Sequence, residues 1–97
     1  MKSLSILIPI YNEEESLQAL FDELKFSFEN NQSIEIIFIN DGSSDMSQKV
    51  IENEIANHST WKLINLYRNY GKSVALQSGI DIASNELIAS SYCSVVQ

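Results

Sequence analysis

Two residue periodicities alternate along the chain, and that alternation limits the folds open to it more than any other feature. Leu4 to Ile10 reads Leu-Ser-Ile-Leu-Ile-Pro-Ile, an apolar, β-branched run of the kind found in strands buried on both faces. Pro9 stands near its C-terminal end, where one missing ladder N–H costs least. Leu17, Leu20, Phe21, Leu24 and Phe28 then recur at helical spacing and predict one buried helix face. Asn12 is the expected N-cap, with Glu15 three residues on as in a capping box, and the run Asn30-Asn31-Gln32-Ser33 ends the helix. The pattern repeats with a strand at Ile34 to Ile39, a polar turn at Asn40 to Asp45, and a helix striped by Val50, Ile51 and Ile55. A shorter strand follows at Lys62 to Leu66, and a loop at Tyr67 to Lys72 leads into a helix over Ser73 to Ala83. Val74, Ala75, Ser78, Gly79 and Ile82 share one face of that helix, and the small residues among them let it lie close to a sheet. Ser84-Asn85 reads as a turn, and Glu86 to Ser91 as a fourth strand.

The order β-α-β-α-β-α-β with short connections predicts a mainly parallel sheet with right-handed crossovers. That is half of an open α/β fold, and such folds bind ligands at the carboxyl ends of their strands. At 97 residues the chain is long enough for one domain, and 44% hydrophobic residues exclude disorder. The formal charge of −7 argues against nucleic acid as a partner, since phosphate backbones require clustered Lys and Arg. It leaves open a nucleotide site, which needs only local donors. No apolar run approaches the roughly 20 residues that span a bilayer, and the start carries no signal-peptide pattern. The lone Cys93 excludes an internal disulfide and suits a reducing compartment, so the expected setting is cytoplasmic.

Attention therefore falls on Tyr11-Asn12-Glu13, Asn40 to Asp45 and Tyr67 to Lys72. Gly71-Lys72-Ser73 looks like the end of a phosphate-binding P-loop, but Leu66 stands where that loop requires its first glycine. A dinucleotide fingerprint needs three glycines in the first turn, whereas the chain's three are Gly42, Gly71 and Gly79. Both standard phosphate motifs fail.

A third pattern does match. Ile6-Leu7-Ile8-Pro9-Ile10-Tyr11-Asn12-Glu13 followed by Ile39-Asn40-Asp41-Gly42-Ser43-Ser44-Asp45 resembles the family 2 inverting glycosyltransferases. Arg68-Asn69-Tyr70-Gly71-Lys72, the helix to Gly79, and Ala83-Ser84-Asn85-Glu86 extend the likeness over essentially the whole chain. It is nearest to the dolichol-phosphate mannose synthases and bacterial polyprenyl-phosphate glycosyltransferases. The resemblance implies a partial GT-A, Rossmann-like fold and a donor site for a UDP- or GDP-sugar. It carries five residues into that site: Asp41 on a ring N–H of the base, Tyr11 against the base, Glu13 on the ribose, and Pro9 and Ile39 shaping the pocket. Arg68 and Lys72 rank lower, as groups able to approach the diphosphate. An intact relative would transfer the sugar, with inversion, to a lipid phosphate or glycan, often at the cytoplasmic membrane face.

Each residue also has a plainer reading. Asp41-Gly42 with two serines makes an ordinary turn, Glu13 suits the first turn of any helix, and Tyr11 can cap a core. Lys72 and His58 read as surface residues, and Cys93 as a small buried one.

The likeness fails at one motif. The family's fourth strand ends in Asp-x-Asp, which holds Mg²⁺ or Mn²⁺, and here that slot aligns with Tyr92-Cys93-Ser94. A phenol and a hydroxyl are poor ligands for a hard cation. No metal ligand and no catalytic residue is therefore assigned. Residues 1–97 are expected to be the N-terminal, donor-binding half of a family 2 domain, truncated after the fourth strand, inactive alone and retaining no cofactor. The alternative from another class is a non-catalytic α/β module that self-associates through an exposed strand edge.

Overall fold

A computed structural model describes residues 4–28, 33–83 and 87–89. Among them the element order is β1 (Leu4–Ile10), α1 (Glu14–Phe28), β2 (Ile34–Asn40), α2 (Ser47–Ile55), β3 (Trp61–Asn65), α3 (Lys72–Ile82) and β4 (Leu87–Ala89). The expected alternation holds, with boundaries displaced by a few residues. All pairings are parallel, in the order β3-β2-β1-β4. The chain steps outward from β1 through β2 to β3, then crosses to the other side of β1 with β4. That reversal creates a switch point beside β1, where open parallel sheets leave a crevice at the strand ends.

Alternation along the strands divides the core between two faces. Ile6, Ile8, Ile10, Ile36 and Phe38 pack with Leu17, Leu20, Phe21 and Leu24 of α1 and Ile51 of α2. An aromatic group anchors this face: Phe21 meets Phe38 edge-on at 5.7 Å, and Trp61 lies 5.5 Å from Phe38 between ring centroids. The opposite face carries Leu7, Ile37 and Ile39 against Ala75 of α3. At Gly79 a Cβ would come within 3.0 Å of Ile39 Cδ1 and of Leu7 Cδ2, so the small residues of α3 do permit its close approach.

Polar side chains also pack into this body. Buried Glu35 accepts a hydrogen bond from Ser5 Oγ at 2.8 Å and pairs with Lys62 across β2 and β3. His58 differs from its expected surface role. Its ring stacks on Trp61 with centroids 3.7 Å apart, and Nε2 lies 2.8 Å from Glu54 Oε2, which also faces Lys25. The flat imidazole covers an indole face that β3 leaves at the sheet edge, so the residue belongs to the packing. Cys93 and the Ser84-Asn85 turn lie outside the described residues.

Candidate functional site

Three segments meet at the carboxyl ends of the strands: residues 11–13 after β1, 41–46 after β2 and 66–71 after β3. Asp41 is the most constrained side chain among them, with only 4% of its surface exposed. Its Oδ1 accepts the Tyr70 N–H at 2.8 Å. Its Oδ2 accepts the Gly71 N–H at 2.9 Å and the Asn69 side-chain amide at 3.1 Å. The same amide nitrogen also donates to the Asp41 carbonyl at 3.2 Å. A carboxylate offers about four acceptor positions, so among the described residues one remains, on Oδ1.

The neighbouring glycine explains how the third segment gets so close. Gly42 has φ of 69°, and a Cβ there would sit 2.2 Å from the Arg68 carbonyl carbon. Only glycine lets the backbone at residues 68–69 lie directly on this turn.

A second set of bonds joins the first segment to the 43–47 turn. Asn12 departs from the expected N-cap role: it adopts a positive φ of 50° and stands two residues before α1. Asparagine tolerates that left-handed conformation better than most residues. Its Oδ1 accepts the Ser44 N–H at 2.8 Å and the Asp45 N–H at 3.3 Å, while its own N–H donates to Ser43 Oγ at 3.0 Å. The amides at the N-terminus of α1 are thus capped from the start of α2 and the turn before it, Glu13 N–H by Ser47 Oγ and Glu14 N–H by Asp45 Oδ2. Glu14, in place of Glu15, closes the reciprocal bond, onto the Met46 N–H at 3.3 Å.

Asp45 also caps α2, accepting the Ser47 N–H at 2.9 Å. Partial burial opposes its charge, but hydrogen bonds from the Ser47 hydroxyl and from the amides of Ser47, Glu14 and Asp45 outweigh it. Together they hold the carboxyl below its usual value.

The five site residues expected from sequence occupy this rim unequally. Pro9 is half-buried and pairs in register with Ile39. The Ile39 side chain is fully buried against α3, leaving it no side-chain surface to offer a ligand. Tyr11 is 47% exposed, and Glu13 is half-buried at the start of α1. Asn12 ties both to the turn that follows Asp41. Arg68 and Lys72 are exposed, with the Arg68 guanidinium 5.2 Å from the centre of the Tyr70 ring. A shallow cavity of about 220 Å³ lies against Asn12 to Ser16 and Asp45. Its four carboxylates make it a poor seat for a diphosphate.

Sequence reasoning did not single out Asn12, Asp45 and Asn69 for what they do here. Asn69 carried no signal beyond its place in a motif, because its partner is distant in sequence. Among the described residues no group of three or more His, Cys, Asp or Glu is placed to hold a metal ion. The Tyr92-Cys93-Ser94 slot lies outside them. No helix among the described residues is long and apolar enough to cross a membrane.

Three strand-end loops, gathered around a buried acid and tied together by cross-loop hydrogen bonds, top an open parallel α/β domain. Residues 5–90 match the model of glycosyl transferase family 2, and the chain belongs to that family. It is 41% identical over 86 residues to an uncharacterized glycosyltransferase of Synechocystis sp., covering 88% of this chain and 27% of that protein. It is 40% identical over 92 residues to the undecaprenyl-phosphate 4-deoxy-4-formamido-L-arabinose transferase of Yersinia pestis, covering 91% and 28%. The chain thus spans a little over a quarter of the length of these curated relatives.

Solved structures show the same fold. S. aureus TarS 1-349 in complex with UDP superposes with a TM-score of 0.78 at 24% identity, over 91% of this chain and 26% of that one. Mannosyltransferase PcManGT from Pyrobaculum calidifontis, in complex with GDP-Man and Mn²⁺, gives 0.80 at 18% identity, over 88% and 25%. The expected partial GT-A architecture is therefore present.

Proposed function

We propose that this chain is the donor-binding portion of a family 2 glycosyltransferase and that its strand-end rim takes a nucleoside-diphosphate sugar. The observation that carries this reading is Asp41, a buried carboxylate just past β2 that retains an open acceptor position. A base presenting a ring N–H would form a charge-assisted hydrogen bond there, worth about 1.5–3 kcal/mol. Tyr11 offers an exposed ring for stacking at the end of the neighbouring strand, and Glu13 an acceptor for ribose hydroxyls. Pro9 and the Ile39 backbone shape the floor.

In a whole enzyme of this kind the sugar would pass, with inversion, to a lipid phosphate or glycan. The 97 residues contain no Asp-x-Asp sequence, and turnover of a UDP- or GDP-sugar is not expected from them alone. Calorimetric titration of the 97-residue chain with UDP and GDP tests the reading. Binding that Asp41→Ala weakens at least tenfold, about 1.4 kcal/mol, supports it. Absence of binding by the unmodified chain overturns it and favours a non-catalytic module. Hydrolysis or transfer of either sugar nucleotide by the purified chain would refute its inactivity.

A further inference from the structure

The arrangement around Asp41 bears on which base the rim accepts. Its two carboxylate oxygens are not equivalent. Oδ2 holds two donors, the Gly71 N–H at 2.9 Å and the Asn69 amide at 3.1 Å, and Oδ1 holds one, the Tyr70 N–H at 2.8 Å. The orientation of the Asn69 amide is fixed by chemistry, because both atoms it faces, Asp41 Oδ2 and the Asp41 carbonyl oxygen, can only accept. Asp41 as a whole is 4% exposed, and it stands directly after β2 where the strand-end loops meet.

Bases present different edges to such a group. Uracil offers one ring N–H between two carbonyl acceptors. Guanine offers a ring N–H beside an exocyclic amino group, two adjacent donors that suit a carboxylate with both oxygens open. Here the second oxygen is already filled, and the amino group of guanine would meet the Asn69 N–H donor to donor.

We propose that Asn69 is a specificity-determining residue: by occupying Asp41 Oδ2 it leaves one acceptor, on Oδ1, and selects uracil over guanine. This rests on the donor-site reading above. Asn69 acts through Asp41 and through a neighbouring donor, and it need not contribute to the chemistry of transfer.

The test is calorimetry of the 97-residue chain with UDP, GDP and inosine diphosphate, whose base keeps the guanine ring N–H and lacks the amino group. The unmodified chain should bind UDP about tenfold or more tighter than GDP, and inosine diphosphate several-fold tighter than GDP. In Asn69→Ala, checked for folding by circular dichroism, the UDP-to-GDP ratio should narrow by about fivefold or more. Equal or tighter binding of GDP by the unmodified chain overturns the inference and leaves the donor site standing. Inosine diphosphate binding no better than GDP also overturns it, and needs no variant. An unchanged ratio in folded Asn69→Ala removes the role of Asn69. Binding of none of the three nucleotides removes the donor site itself, and this inference with it.

Discussion

Below the strand ends, Phe21, Phe38 and Trp61 meet with ring centroids 5.5–6.1 Å apart, inside a layer of isoleucine and leucine. Above them, Asn12, Asp41 and Asp45 join loops that are about thirty positions apart in sequence, through bonds of 2.8–3.3 Å. The lower region is held by water-exclusion and close packing, which tolerate many sequences of suitable volume. The upper region is held by donor–acceptor matches, each satisfied by one residue type in one backbone conformation. Stability is thus concentrated in the body and loop geometry in the rim. The rim can lose its shape while the fold survives, and the reverse is not expected.

The largest expected effect lies in the body. Phe38→Ala removes a fully buried ring that touches both other aromatics and should cost about 3–5 kcal/mol. Such a loss is a large fraction of the roughly 5–15 kcal/mol that holds an ordinary domain together. Urea unfolding followed by the fluorescence of Trp61 measures it. A loss below about 1 kcal/mol, the cost of a helix cap, would erase the distinction between body and rim.

Gly42→Ala strikes the junction between the two regions. The added Cβ would lie 2.2 Å from the Arg68 carbonyl carbon and 2.4 Å from the Asn69 nitrogen, at a φ of 69°. Backbone atoms cannot yield as a side-chain tip can, so the 68–71 segment must lift. Overpacking of this kind costs about 1–3 kcal/mol. Lifting the segment also draws three N–H donors from Asp41, so the affinity for UDP should fall about tenfold or more. Unfolding and titration of the same sample separate the two losses, and an affinity loss without matching destabilisation would place the damage in the rim.

The same contrast explains what could be read from sequence. The body was legible because burial follows periodicity: Ile6, Ile8 and Ile10 against Leu17, Leu20, Phe21 and Leu24 already describe two facing surfaces. Ala75 and Gly79 announced the close approach of α3 for the same reason. The rim was legible only as motifs. Asp41 stood out because it follows a strand, but its three donors come from residues 69–71, and no local rule pairs positions so far apart. Asn12 reads as a cap because an Asn ahead of a helix is ordinarily one. Here the turn after β2 supplies the cap instead, and Asn12 is spent on that turn. His58 likewise reads as a surface residue, since nothing local predicts an imidazole stacked on Trp61.

Substitutions at Asn12 sharpen the comparison within the rim itself. Asn12→Ala loses both the acceptor for two amides and the tolerance of positive φ, and should cost about 1–2 kcal/mol, as for a lost cap. Asn12→Gly keeps the conformation and loses only the acceptor, so it should be the milder change. Thermal unfolding of both variants gives the order directly. The reverse order would mean that the positive φ at this position costs alanine less than the unfolded-state entropy that glycine adds.

The smallest effect is the dependence of the rim on acid, and its sign is fixed by Asp45. This carboxyl titrates below its usual value of 3.8 in the folded chain, because four hydrogen bonds to the anion outweigh partial burial. A depressed carboxylate contributes stability that is complete above the unfolded value and disappears as pH falls through the folded value. Asp45→Asn removes that titration while keeping one acceptor for the Ser47 or Glu14 amide. The two chains should therefore differ most near neutral pH, by about 1 kcal/mol or less, and converge below about pH 4. Urea midpoints measured from pH 7 downward show the convergence. A gap that stays constant with pH would mean that the charge of Asp45 contributes nothing and that its shape alone joins the two loops.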